Sequence, residues 1–277
     1  MRALRHIVGM PELPEVETTV RGLARVLDGR RIERVEVRRE DLRRAFPKDL
    51  GQRLTGARVT GLGRRAKYGL IHTDRNDTMI FHLGMSGSWR INHSRLEKHD
   101  HLLLETDERT RLALNDPRRF GSVDLLRTDE LAEWPPFKAL GPEPLDLTAG
   151  ELRHRLAGRS AAIKLLLLDQ RIVAGLGNIY VCEALYRAGI HPLKAGGSIS
   201  LERLKRLVPA IHDVLAEAIA AGGSTLRDFA SPDGGLGYFS KDFAVYDREG
   251  QPCGGGGTVR RIVQGGRSTF YCPRCQR

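Results

Sequence analysis

The chain has 277 residues, 40% hydrophobic and 29% charged, which suits a globular protein large enough for two domains. No run is long and apolar enough to span a membrane, and four cysteines, three of them within the last 25 residues, argue for a cytosolic metal site over a disulfide scaffold. A net charge of +11 suits a polyanionic partner, although a solvated basic surface gives the same count.

Residues 1–9 are too short and too polar for a signal peptide and read as a misplaced start. The acidic run Met10-Pro11-Glu12-Leu13-Pro14-Glu15-Val16-Glu17 then opens a helix. Pro14 suits the first helical position, Val16, Val20, Leu23 and Leu27 share one face, and Gly29 can stop it. If the chain began at Pro11, its nitrogen would be a free secondary amine beside Glu12 and Glu15. A helix N-terminus disfavours the protonated form of an amine whose pKa starts near about 8. Such an amine attacks a sugar carbon to give an iminium. With the preceding residues attached, the same nitrogen is a tertiary amide and no nucleophile.

From Arg31 to about Arg127, short apolar bursts separated by Gly, Asp and Asn predict an antiparallel sandwich or barrel with the helix on its edge. Three stretches there are richer than a sandwich needs. Arg64-Arg65-Ala66-Lys67-Tyr68 forms a turn that is either a solvated loop or a phosphate contact. His82-Leu83-Gly84-Met85-Ser86-Gly87-Ser88 has small residues that let another backbone approach, and a lone Met85 is usually core. In Asn115-Asp116-Pro117-Arg118-Arg119-Phe120-Gly121, Phe120 reads equally as a wedge between bases and as a buried ring flanked by solvated arginines. Lys98-His99-Asp100-His101 offers metal donors without a third partner.

Trp134 to Gly150, with four prolines, reads as a linker, and beyond it the period is helical: Leu152 to Leu156, Ile163 to Leu168, Ile179 to Tyr186 and Leu201 to Ala221. Gly175-Leu176-Gly177-Asn178 opens a helix with Asn178 at the capping position, where free N–H groups can hold phosphate. Gly222-Gly223-Ser224-Thr225-Leu226 starts a further short helix, and Ser231 to Phe239 is a glycine-rich loop. At the end, Cys272-Pro273-Arg274-Cys275 is half a zinc ribbon. Its upstream partner is only Cys253-Gly254-Gly255-Gly256, with Gly256 in place of the missing thiolate. Three cysteines hold zinc only with water or a borrowed side chain. Otherwise the module folds without metal as a hairpin held by Ile262, Val263, Phe270 and Tyr271.

Pro-Glu-Leu-Pro-Glu-Val-Glu-Thr from Pro11, together with Asp116 to Gly121 and the half ribbon, resembles the bacterial formamidopyrimidine-DNA glycosylases. The resemblance implies an α+β fold: an N-terminal β-sandwich with an edge helix (10–134), a linker (135–150), a helix-two-turn-helix domain (151–240) and a degenerate zinc-ribbon-like β-hairpin (243–277). It implies a bifunctional glycosylase and abasic-site lyase of base excision repair that removes oxidised purines from double-stranded DNA. Pro11 would be the nucleophile and Glu12 the general acid, with Lys67 and Arg267 assisting. Met85, Arg118 and Phe120 would fill and kink the duplex, His99, Arg159, Lys164 and Asn178 would contact DNA, and Ser231 to Phe239 would close over the flipped base. One zinc ion on Cys253, Cys272 and Cys275 would be the only metal, and a monomer in the bacterial cytoplasm, associated with the nucleoid, would do the work. Two alternatives stand beside it: an endonuclease VIII-type enzyme for oxidised pyrimidines, against which Met85, Arg118 and Phe120 argue, and a non-catalytic binder of damaged DNA.

Overall fold

The structure is a computed structural model in which residues 10–93, 95–224 and 243–277 are described. Residues 1–9, the part from Thr225 onward of the helix expected to start at Gly222-Gly223-Ser224-Thr225-Leu226, and the loop Ser231 to Phe239 therefore lie outside the described residues. The chain forms two compact units, one running through Lys138 and taking in 221–238, the other comprising 139–220 and 239–277. No helix among the described residues is long and apolar enough to cross a membrane.

The first unit starts with α1 (Leu13–Leu27), one residue before the expected Pro14, with Glu12 as N-cap in a capping box with Glu15. Leu13, Val16, Leu23 and Leu27 have no exposed surface. Each such burial is worth about 1.5–3 kcal/mol, and it keeps α1 on the strands below. Those strands form two antiparallel sheets. In one, β1 (Ile32–Val37), β6 (Asp100–Thr106), β7 (Arg111–Asn115) and β5 (Ser88–Ile91) lie side by side; in the other, β2 (Val59–Arg65), β3 (Tyr68–Thr73), β4 (Asp77–His82) and β8 (Ser122–Arg127) do. Phe81 of β4 meets Trp89 of β5 edge-on with ring centroids 5.6 Å apart, so the two sheets share a core. A five-residue helix, α2 (Leu50–Leu54), packs on β1.

α1 packs on β2 and β3, and Arg64 at the end of β2 donates from Nε to Glu17 of α1 at 2.9 Å. Burial alone would raise the Glu17 pKa, but hydrogen bonds from Arg21 and Arg64 hold it below the usual carboxylate range. The proline-rich stretch is more than a connector. Trp134, followed by the one-turn α3 (Pro135–Lys138), packs with Phe137 around the Tyr68 ring at 5.7 and 5.4 Å. Residues 221–224, expected in the helical domain, go with the first unit because Ser224 donates from both N and Oγ to Glu15 Oε1, at 2.9 and 2.8 Å.

The second unit contains α4 (Ala149–Leu156), α5 (Ile163–Leu168), α6 (Asn178–Arg187), α7 (Leu201–Ala220) and a hairpin of β9 (Arg260–Gln264) and β10 (Arg267–Tyr271). α7 packs on α4 and α6, and β10 packs on α6. The C-terminal module is tied to α6 by Glu183, a fully buried carboxylate accepting from the backbone N–H groups of Ala244, Val245 and Tyr246 at 2.8–3.0 Å. Burial pushes the Glu183 pKa up, and the three donors oppose that push. Of the residues expected to hold the hairpin, Phe270 and Tyr271 are buried, whereas Val263 is 65% exposed, because alternate residues of a two-stranded ribbon face solvent.

Leaving buried N–H groups without an acceptor costs about 1–3 kcal/mol each. Glu183→Ala is therefore expected to lower the unfolding free energy by roughly 3 kcal/mol, checked by urea denaturation; a loss below about 1 kcal/mol would remove Glu183 as the anchor of the module.

Candidate nucleic-acid and catalytic site

In the first unit, Pro11 and Glu12 stand at the start of α1, both buried, with Glu12 3% exposed. The Glu12 N–H donates to Glu15 Oε2 at 2.9 Å while Glu15 Oε1 holds Ser224, so one buried carboxylate fixes the segment that carries both residues. Lys67, 6% exposed, occupies with Ala66 the two-residue turn between β2 and β3, where Ala66 has a positive φ of 53°. The stretch expected as a solvated loop or phosphate contact is thus a tight hairpin tied to α1 through Arg64.

His82, at the end of β4, stacks on Tyr68 at 4.9 Å, and its Nδ1 accepts from the Gly84 N–H at 3.0 Å. Burial, reinforced by Lys67, Arg43 and Arg44, pushes its pKa down to about 4, so the ring is neutral at pH 7. A cavity of about 270 Å³ is lined by Arg43, Arg44, Tyr68, His82, Phe120 and Ser122.

The loops carrying Met85, Arg118 and Phe120 are fused. Asp116, 1% exposed, accepts from Ser86 Oγ at 2.6 Å and from Gly121 N at 2.8 Å, and Ser86 Oγ accepts from Arg118 N at 3.0 Å. Gly84 has φ +62°, and a Cβ there would lie 2.3 Å from the carbonyl carbon of Phe120, so only glycine lets the two backbones meet. Held this way, Phe120 is 46% exposed with the Arg118 guanidinium 5.2 Å from its ring centroid. This excludes the buried-ring reading of Phe120. Met85, between Gly84 and Ser86, is half-buried. His99 is half-buried, and its carbonyl accepts from Asp116 N at 3.0 Å. Asp100 is taken up by Arg90 and Asn115, and among the described residues only Cys253, Cys272 and Cys275 come together as metal donors.

In the second unit, Arg267 is exposed at the start of β10, just after the Gly265–Gly266 turn. Two side chains expected at DNA also hold its neighbour. Lys164 has no exposed surface and donates to Ser268 O at 3.2 Å and Thr269 Oγ1 at 2.7 Å; Asn178 Nδ2 donates to Ser268 O at 2.9 Å. Lys164, expected as a DNA or lesion contact, is thus engaged with the hairpin. Asn178 is the first helical residue of α6, with Gly177 as the cap, because its amide is engaged with β10. Arg159 is exposed on the loop after α4, with Nε on the Arg155 carbonyl at 2.8 Å. The clamping roles of Glu15, Ser86, Asp116 and Glu183 escaped the sequence reading; for Glu183, the signal was a carboxylate four residues after Ile179 on the apolar face of a helix.

Asp116→Ala is expected to free both loops, weakening binding of damaged duplex about tenfold in fluorescence anisotropy; unchanged affinity would separate these loops from DNA. His82 adds a pH signature. With a folded pKa of about 4 against 6.5 unfolded, the unfolded chain takes up a proton first as pH falls between these values. Stability present above pH 6.5 should fall by roughly 2–3 kcal/mol down to pH 4, and His82→Gln should flatten that slope in denaturation curves measured across the window.

Comparison with known proteins accords with this arrangement. Family models match residues 10–123 (Formamidopyrimidine-DNA glycosylase N-terminal domain), 140–230 (Formamidopyrimidine-DNA glycosylase H2TH domain) and 256–277 (zinc finger found in FPG and IleRS). The formamidopyrimidine-DNA glycosylase of Novosphingobium aromaticivorans is 71% identical over 97% of this chain and all of its own length. Two solved structures cover 96% of this chain and 100% of their own, each with TM-score 0.89. They are a mutant Lactococcus lactis Fpg with Fapy-dG DNA, 34% identical, and Lactococcus lactis Fpg with DNA containing an abasic site, 35% identical. The chain belongs to the formamidopyrimidine-DNA glycosylase family.

Proposed function

We propose that the chain is a bifunctional DNA glycosylase and abasic-site lyase of base excision repair. It acts as a monomer on oxidised purines, 8-oxoguanine and formamidopyrimidines, in double-stranded DNA in the bacterial cytoplasm, at the nucleoid. The observation that carries the reading is the Pro11–Glu12 pair, buried and fixed by Glu15 at the positive end of α1.

Arg118 and Phe120 enter the duplex, Met85 takes the space of the extruded base, and His99, Arg159 and Asn178 meet the strand backbone. The Pro11 nitrogen lone pair bonds to C1′ as the N-glycosidic bond breaks and the base leaves with a proton. Glu12 gives its proton to O4′ as the ring opens, leaving an iminium at C1′. Loss of a C2′ proton expels the 3′ phosphate, and a second elimination expels the 5′ phosphate. Water then hydrolyses the iminium and frees the amine. Lys67 and Arg267 stabilise the phosphates as they leave. Zinc on Cys253, Cys272 and Cys275 would supply a crosslink between the two segments flanking the hairpin.

In the chain as given, Pro11 is acylated by Met10, and this favours a second reading: a binder of damaged DNA without cleavage. Borohydride trapping separates the two. A chain starting at Pro11 should form a covalent adduct with an 8-oxoguanine duplex, and a chain retaining Met1 should bind with a steep salt dependence but leave the strand intact. The absence of an adduct from the chain starting at Pro11 would overturn the covalent route.

A further inference from the structure

The donors at the C-terminal end suit zinc: three sulfurs, two of them buried, with Cys253 Sγ 3.2 Å from Cys272 Sγ and 3.5 Å from Cys275 Sγ. Tetrahedral zinc with bonds of about 2.3 Å needs sulfurs about 3.8 Å apart, so the thiols need to open by only a few tenths of an ångström. The run Gly254 to Gly257 completes the surroundings without offering a donor.

The Cβ directions of these glycines differ. At 256, the position assigned from spacing to the missing ligand, a Cβ would lie 3.4 Å from Arg274 Nη1, away from the thiols, and φ is +75°, where a cysteine is strained. At 257, a Cβ would lie 2.4 Å from Cys272 Sγ and also 2.9 Å from Arg274 Cβ, so that side is closed. At 255, a Cβ would lie 2.3 Å from Cys275 Sγ, a side-chain end that can swing; Cys275 Cβ is 3.8 Å away and φ is not in the left-handed region. Cys275 is also the least covered of the three cysteines.

We propose that the zinc site of this chain is open: three thiolates hold the ion, the fourth coordination position lies on the Gly255 side, and a small exchangeable donor from solvent, such as water, a free thiol or an imidazole, fills it. A protein that supplies three ligands leaves a position where exogenous molecules exchange, as in zinc sites that keep a water, whereas four protein ligands close it. The site thereby becomes a receptor for low-molecular-weight thiols, and loss of its metal to chelators is fast. The strongest competitor within the protein is Tyr186, whose hydroxyl lies 3.7 Å from the Cβ position of Gly254 and is hydrogen-bonded to Cys253. A phenol that donates to a bound thiolate is an outer partner of the site, not its fourth ligand.

The test uses the full chain loaded with one equivalent of cobalt(II), whose visible bands report the ligand set independently of any activity on DNA. In the native chain the bands should shift on titration with imidazole or 2-mercaptoethanol. Gly255→Cys should abolish that response and slow metal loss to a chelator by about tenfold or more, while Gly256→Cys should behave like the native chain. Three results would each overturn the proposal: native bands indifferent to added donors, closure of the site by Gly256→Cys instead, or loss of cobalt binding on Tyr186→Phe, which would make the phenol a ligand. Failure of the native chain to bind cobalt would overturn it as well. None of these outcomes bears on the Pro11 chemistry, which the trapping experiment reads separately.

Discussion

The start of the chain depends on one buried carboxylate. Glu15 has no exposed surface, and its two oxygens accept from Glu12 N, Ser224 N and Ser224 Oγ. A carboxylate is stable out of water only when its lone pairs are met, and here the donors are two backbone N–H groups and one hydroxyl of the segments that must be fixed. The capping interaction that begins α1 is therefore also the one that orients Pro11 and Glu12. It trades conformational freedom at the start of α1 for a defined geometry of Pro11 and Glu12.

The same device recurs. Asp116 clamps Ser86 and Gly121, and Glu183 clamps three consecutive N–H groups of the C-terminal module. Each holds a loop or hairpin that carries an exposed cation or aromatic ring. The acids placed inside in this way are withdrawn from the surface, while Arg118, Arg159 and Arg267 remain outside. A net charge of +11 thus understates how basic the surface of each unit is toward a polyanion.

What the sequence disclosed follows from the range of each interaction. The apolar face of α1 and the bursts that became eight strands are local patterns, and they were readable because side-chain periodicity reports burial directly. The Asp116 to Gly121 loop was readable as a functional element, but its tether to Ser86 was not, because the pairing joins residues 30 apart. Glu15 and Ser224 are separated by 209 residues, and a glutamate in a helix reads as solvated until its partner is known. The burial of Lys164 was hidden for the same reason: a lysine is taken to reach solvent until partners such as the hairpin's Ser268 carbonyl and Thr269 hydroxyl are known. The choice of Gly256 over Gly255 came from counting residues, which gives no direction for a Cβ.

Placement of Arg267 does not rest on the metal alone, and this explains how the family's fourth thiolate can be dispensed with here. Ser268, the next residue, has its carbonyl held by both Lys164 and Asn178. Further along, Cys272 N donates to the Gln276 amide, which reaches back to the Ile190 carbonyl at 2.9 Å, and Glu183 anchors the entry to the module. The bonds of the charged Lys164 and Glu183 contribute about 1.5–3 kcal/mol each and the neutral amide bonds about 0.5–1.5 kcal/mol, and all of them close on the helices independently of zinc. Where four thiolates are the sole support of a small ribbon, removing one threatens the fold. In this chain the hairpin is braced at Ser268 and at Cys272 from the helical side, so it has support that does not depend on a fourth thiolate.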